Sequence, residues 1–224
     1  MKKTTILLVI FTSFTVAEIM SCDDSGTAVT TTNLWIRLSD ATGEDAYITD
    51  RYPDLPLPSD RDLSGIAFID SLGPYRGRTL FKFYLSAIPS TANVTNATLL
   101  LTPSQNPEHY FPSGHRTDGG SNACTISRIL EAWTDSTATW NNANMILTTG
   151  TAAVNLDSST SSLEPYTLDV TALVKYSVQY PNTNFGYLLK LNSESPVRVM
   201  GFASGNYPDT AYRPLLQVTY TSQP

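Results

Sequence analysis

Short runs of alternating hydrophobic and polar residues recur along most of the chain, separated by clusters of Gly, Pro, Asn, Asp and Ser. In the run 78–86, Phe81 and Phe83 fall on one face of an extended chain, and Lys82 and Tyr84 fall on the other. Because side chains of a β-strand alternate between the two faces of a sheet, this pattern predicts half-buried strands. The spacing of the runs favours an all-β sandwich.

The predicted strands cover most of the chain after residue 33. They are 34–39, 45–49, 66–70, 78–86, 97–102, 123–130, 152–156, 166–170, 185–191, 197–203 and 215–220. One segment departs from the period of two: Leu173, Val174 and Val178 recur at helical spacing, and Pro181 follows. We therefore predict one short helix near 171–179.

The N-terminal segment has the features of a secretory leader. Lys2 and Lys3 precede a short apolar stretch, and the sequence 19–22, Ile-Met-Ser-Cys, resembles a bacterial lipobox. We expect residues 1–21 to be a signal peptide and Cys22 to carry the lipid. The chain would then be an extracytoplasmic lipoprotein at the outer membrane or cell surface, with the leaflet left open. The alternative is that Cys22 is an ordinary thiol.

Residues 22–33 are small and polar after the cysteine, which predicts a flexible tether, and 34–224 has the length of one sandwich domain. Two cysteines are present, so lipidation of Cys22 leaves Cys124 without a disulfide partner. Only 15% of residues are charged and the formal net charge is -6. Nucleic acid is therefore excluded as a partner, because phosphate binding needs a basic surface.

Several segments together resemble the DNRLRE family, which is also described as a carbohydrate-binding module family whose founding member binds alginate. In order, the matching pieces are 78–89, 94–101, Trp133, 138–142, 168–174, 184–189, 202–205 and 213–220. The resemblance implies a jelly-roll β-sandwich of two antiparallel sheets and a carbohydrate ligand. The chain departs from the family at Tyr84, where an acidic residue is usual.

Cationic residues within the predicted strands form the first candidate ligand site. Lys82, Arg128, Lys190 and Arg198 are each predicted on the face opposite their apolar neighbours, and Tyr84 shares the face of Lys82. A cationic stripe of this kind would bind the carboxylates of a uronate polysaccharide. The alternative is a solvated outer face that resists aggregation, and the acidity of the whole chain favours this alternative.

The tryptophans give a second candidate. Trp133 and Trp140 could stack on sugar rings, but their positions favour rings that cover the open end of the core. Trp35, in the first predicted strand, stays open between the two roles.

Loop residues suggest two further chemistries. His109 and His115, with Tyr110, could serve a polysaccharide lyase, although their loop favours solvent exposure. Asp45, Asp50 and Asp70 lie in or beside the first long loop and offer the oxygen ligands of a structural Ca²⁺ ion, but they lack a fixed calcium motif. The sequence therefore establishes no cofactor.

Three functions follow from these observations. The favoured one is a lipid-anchored, non-catalytic module that binds a polysaccharide, with an acidic uronate polymer as the ligand. The second is a structural or adhesive envelope module that binds a protein partner. The third is a polysaccharide lyase or hydrolase, which the lack of a recognisable catalytic motif disfavours. In each case the membrane is reached through the lipid alone.

Overall fold

A computed structural model describes residues 16–22, 28–57, 62–105, 114–143 and 153–223 of the chain. Two antiparallel sheets form a sandwich, one of them curled into a half-barrel, with two short helices. The predicted all-β sandwich is therefore confirmed. None of the helices in the described ranges combines the length and the apolar character that a membrane span requires.

The strands, in chain order, are β1 (Val16–Cys22), β2 (Ala28–Arg37), β3 (Gly43–Thr49), β4 (Asp62–Asp70), β5 (Gly73–Phe83), β6 (Asn93–Leu101), β7 (Cys124–Arg128), β8 (Ala153–Leu156), β9 (Tyr166–Asp169), β10 (Tyr187–Leu191), β11 (Arg198–Ala203) and β12 (Leu215–Ser222). The helices are α1 (Trp140–Ala143) and α2 (Thr171–Gln179). Helix α2 confirms the predicted helix, whereas α1 was not predicted.

Among the described residues, the first sheet has the order β1-β2-β12-β6-β9, and the second has the order β11-β4-β5-β10-β7-β8. Strand β3 also pairs with β5. At Gly77, β5 pairs with β3 and with β4 on opposite edges, and from Thr79 to Phe81 the place of β4 is taken by β10. This exchange bends the second sheet around β5, so that the far end of β5 is flanked by β3 and β10.

The main core lies between the sheets. Phe81 and Phe83 are buried in it, which confirms the alternation predicted for the run 78–86. A second apolar cluster lies on the other face of β5 and contains Leu80, Trp133 and Trp140. The segment after β7 therefore folds back and covers the outer face of the second sheet.

The N-terminal region differs from the predicted tether. Strand β2 begins at Ala28, so residues 28–33 pair with a neighbouring strand instead of forming part of a tether. The β-branched residues Thr30, Thr31 and Thr32 explain the difference, because threonine favours extended pairing. Strand β1 lies within the predicted leader, so removal of that leader would take β1 with it and leave β2 at the sheet edge.

Candidate carbohydrate-binding groove

Strand β5 presents a row of polar side chains on the face opposite the main core. Arg76, Arg78 and Lys82 alternate with the buried residues, and Tyr84 follows directly after the strand. Tyr84 is 40% exposed. Two of the five residues predicted to contact ligand, Lys82 and Tyr84, therefore lie together where β5 ends.

An open groove of about 520 Å³ begins at this point. Lys82 and Tyr84 line one wall, and the segment 84–92, which crosses from β5 to β6, continues it. Helix α2 and the turn after it supply the opposite wall through Ser177 and Asn184. The groove thus combines an aromatic ring, an ammonium group, an amide and hydroxyl groups, which are the groups that usually contact sugars.

Glu44 on β3 controls the charge of the groove wall. It lies directly across from Lys82 in the strand pairing, and its Oε1 atom is 3.1 Å from the Lys82 ammonium nitrogen. The Tyr84 hydroxyl donates a 2.6 Å hydrogen bond to the same oxygen. This hydrogen bond is the main cause that raises the pKa of Tyr84 to about 12, and burial and the charges of Glu44, Asp135 and Asp40 add to it. The surroundings of Tyr84 are therefore acidic, and the Lys82 charge is compensated.

Asn184 supplies an acceptor that the described part of the chain leaves unused. Its side-chain nitrogen donates to the Phe83 carbonyl at 3.0 Å, whereas its buried Oδ1 has no hydrogen-bond partner among the described residues. A buried acceptor without a partner costs about 1–3 kcal/mol. A ligand hydroxyl that reached this oxygen would remove that cost.

The tryptophans beside this row belong to the protein interior. Trp133 and Trp140 are 8% and 6% exposed, and the indole N–H of Trp133 donates to the Phe185 carbonyl at 2.6 Å. The Lys82 ammonium lies 5.3 Å from the Trp133 ring centre, and the Arg78 guanidinium lies 4.5 Å from that of Trp140. Both tryptophans are buried, as predicted, but they lie in the second cluster on the outer face of the second sheet and not at the open end of the main core. The cations lie over their rings.

The predicted cationic stripe does not form on one face. Lys82 and Lys190 lie on the outer face of the second sheet, but Arg128 and Arg198 share the inner-face periodicity of their strands' core residues. Instead, the guanidinium carbon of Arg128 lies 3.7 Å from the ring centre of Tyr176, a residue of helix α2. Helix α2 therefore covers this end of β7. The expectation of a single stripe was wrong. Arg128 lies two residues from Ile126 in β7, and Arg198 lies two residues from Met200 in β11, so each arginine shares the inward face of its strand.

The three predicted calcium ligands do not converge. Asp45 is buried and accepts a 2.7 Å hydrogen bond from the Gly205 N–H, Asp50 pairs with Arg76 at 2.8 Å, and Asp70 pairs with Arg51 at 2.6 Å. Within the described ranges, no three His, Cys, Asp or Glu side chains lie close enough to hold a metal ion. The residues singled out for Ca²⁺ therefore serve separate contacts.

His115 is buried, so the expectation that it is exposed was wrong. Its Nε2–H donates to the Glu164 carbonyl at 2.9 Å, and its Nδ1 accepts from the Gly201 N–H at 3.1 Å. Desolvation by burial lowers the pKa of this imidazole. Arg116 pairs with β11, which draws the adjacent His115 into the interior. His109 and Tyr110 lie outside the described residues.

Sequence reasoning missed Glu44 and Asn184. Glu44 carried a signal, because its charge is opposite to that of Lys82, but the register that pairs the two strands is not readable from one sequence. Asn184 lies in a turn between α2 and β10. It begins the family-like segment 184–189, but nothing in that segment marks its side chain as a groove residue.

A comparison with models of protein families identifies the family of the chain. The model of carbohydrate-binding module family 96 matches residues 39–220, which is most of the chain. No curated protein matches the chain.

Proposed function

Since the chain belongs to carbohydrate-binding module family 96, we propose that it is a non-catalytic, lipid-anchored module that holds a polysaccharide outside the cytoplasmic membrane. We further propose that the groove beside Tyr84 is the binding surface. The observation that carries this proposal is that Lys82 and Tyr84 face Asn184 across one groove. Sites of this kind, largely preformed and with a few polar groups, are where ligands usually bind.

An uncharged polysaccharide fits the groove best. The ammonium of Lys82 is already paired with Glu44, and the charges of Asp40 and Asp135 act on the Tyr84 hydroxyl. A polyanion would approach Tyr84, around which the carboxylates of Glu44, Asp40 and Asp135 outnumber the Lys82 cation. A sugar that brings only hydroxyl groups meets no such repulsion.

An acidic uronate polymer is the second candidate ligand, because the Lys82 ammonium lines the groove. The two ligand classes respond differently to Glu44→Gln. Neutralising Glu44 removes the competitor of the ligand carboxylate, so it should strengthen uronate binding several-fold. Binding of a neutral polysaccharide should stay within about twofold.

Calorimetry tests the groove. Purified protein is titrated with neutral oligosaccharides and with alginate and polygalacturonate oligomers. Tyr84→Ala should weaken binding about tenfold, which corresponds to about 1.4 kcal/mol. Tyr52→Ala is the matched control, because Tyr52 is also a half-exposed tyrosine and lies outside the groove. Equal affinities of the two variants would exclude the groove, and release of reducing ends from any polysaccharide would exclude a purely binding role.

The lipid anchor has its own test. Cells that express the chain are fed radiolabelled palmitate, which should label the wild type and Cys124→Ser but not Cys22→Ser. Cys124 is a suitable control because it is the other cysteine and is buried. Equal labelling of the Cys22 variant and the wild type would contradict lipidation at Cys22.

A further inference from the structure

The outer face of the first sheet presents an exposed indole far from the groove residues in sequence. Trp35 lies in β2 between the buried residues Leu34 and Ile36, and 57% of its surface is exposed. Strand pairing places Gln217, Thr98 and Asp169 beside it in one row across four strands. At about 4.8 Å between neighbouring strands, the row is about 14 Å long.

Most side chains that flank Trp35 on this face are polar and uncharged. Asn33, Thr219 and Asn96 form the next row, and the Thr219 hydroxyl donates to Asn33 at 2.7 Å. Amides and hydroxyls beside a flat ring match a neutral ligand rich in hydroxyl groups, because an indole binds the apolar side of such a ligand while its edges find hydrogen-bond partners.

The charged groups near this face have partners within the protein. The Arg37 guanidinium donates to the carbonyls of Thr210 and Ala211 at 2.8 and 2.9 Å. The Asp169 carboxylate, on the edge strand, accepts from the Thr171 N–H at 2.9 Å. These two charges are of opposite sign, so together they give the surface around Trp35 no net charge that would select an ionic ligand.

The position of Trp35 relative to the predicted anchor also matters. Cys22 pairs with Ala28 at the start of β2, and Trp35 lies seven residues further along the strand. At about 3.3 Å per residue, that is about 23 Å from the end that carries Cys22. Pro89 and Ser90, which line the groove, precede the start of β6 at Asn93, and Asn93 pairs with Thr221 near that same end, so the groove lies there too. The Trp35 row is the more distant of the two surfaces.

We propose that the Trp35 row is a second carbohydrate-contact surface, specific for a neutral polysaccharide. A sugar ring stacks on the indole, and Gln217 and Thr98 bond the hydroxyls of the neighbouring units along the row. The inference rests on the proposed function, because it assumes that the chain binds polysaccharide. A long polymer then contacts the protein at the groove and at this face, and multivalent contact raises its affinity above that of a short oligosaccharide.

Tryptophan fluorescence tests this surface directly. The chain has three tryptophans, and two of them are buried, so acrylamide quenching reports mainly on Trp35. The purified protein is saturated with mixed-linkage β-glucan or galactomannan, with alginate as the charged comparison. A neutral polymer that binds should lower the quenching constant at least twofold. Trp35→Ala should weaken binding of that polymer about tenfold, whereas Tyr52→Ala, which removes another exposed ring, should not.

The outcomes separate the two proposals. If calorimetry shows that a neutral polymer binds but acrylamide still quenches Trp35 as before, the Trp35 surface is overturned. The proposal for the groove is not affected by that result. The alternative occupant of this face is a second copy of the chain. Trp35 would then be protected from acrylamide before any sugar is added, and sedimentation would show a dimer that Trp35→Ala dissociates. That result also overturns the proposed Trp35 surface. If no polysaccharide binds the wild type, both this surface and the proposed function fail.

Discussion

Replacing Trp133 with alanine should destabilise the domain strongly, because this indole fills the second apolar cluster. Trp133 packs there with Leu80 and Leu188, and its N–H satisfies the Phe185 carbonyl. Truncation of a buried tryptophan to alanine costs about 3–5 kcal/mol through lost burial and the cavity that remains. Total stabilities of domains are about 5–15 kcal/mol, so the loss is a large fraction.

Calorimetric melting measures the effect. For a domain of this size, 1 kcal/mol shifts the melting temperature by about 2–4 °C, so Trp133→Ala should lower it by about 6–20 °C. Trp35→Ala makes the same chemical change at an exposed position, where the cost should stay within about 0.5 kcal/mol. Equal shifts for the two variants would refute the assignment of Trp133 to the interior and of Trp35 to the surface.

Three further predictions follow from buried polar groups. Burial raises the pKa of the Cys124 thiol, so in a variant without the other cysteine it should resist a maleimide when folded and react in urea. Labelling of the folded protein, measured by mass spectrometry, would contradict the burial of Cys124. Because the pKa of His115 is lowered from 6.5, the unfolded state binds more protons below that pH, so the free energy of unfolding should fall as pH drops from about 6.5 towards the lowered value. Urea melts at about pH 7.5 and about pH 5.5 measure this fall in the free energy of unfolding, which should be smaller for His115→Gln than for the wild type. An equal fall in the two proteins would exclude this proton linkage. Asp45→Ala should lower the free energy of unfolding in urea melts by about 1–3 kcal/mol and Asp50→Ala by at most about 1 kcal/mol, because of the two only Asp45 is buried. EDTA should leave the melting temperature unchanged, and a clear decrease would support the calcium site after all.

The fold was predictable because its main signal is local. The alternation of Phe81 and Phe83 with Lys82 fixes which face of β5 is buried, whatever strands lie beside it. Helix α2 likewise follows from the spacing of its own apolar residues. In contrast, the start of β2 depends on the pairing of Ala28 with Cys22 of β1 and of Thr30 with Ser222 of β12, and these partners cannot be identified from composition.

The candidate site was predictable only in part, because it depends on contacts between distant segments. Lys82 and Tyr84 were identified from one strand, but the carboxylate that compensates them comes from β3 and the amide opposite comes from the turn before β10. The error over Arg128 has the same origin: a shift of one residue in the assumed alternation moves a side chain to the other face of the sheet. His115 is buried because of pairing with β11, which its loop sequence does not reveal.

Lys82 has two roles that must be separated before its part in ligand binding can be measured. Its ammonium lies between the Glu44 carboxylate and the Trp133 ring, so its removal leaves a carboxylate without its cation and exposes part of the second cluster. A loss of affinity in Lys82→Ala would therefore mix destabilisation of the groove wall with loss of a ligand contact. Asn184 and the ring of Tyr84 are the cleaner reporters, because neither belongs to an apolar cluster. Glu44→Gln keeps the shape of the carboxylate and an acceptor for the Tyr84 hydroxyl, and it removes both the repulsion of an acidic sugar and the ion pair with Lys82.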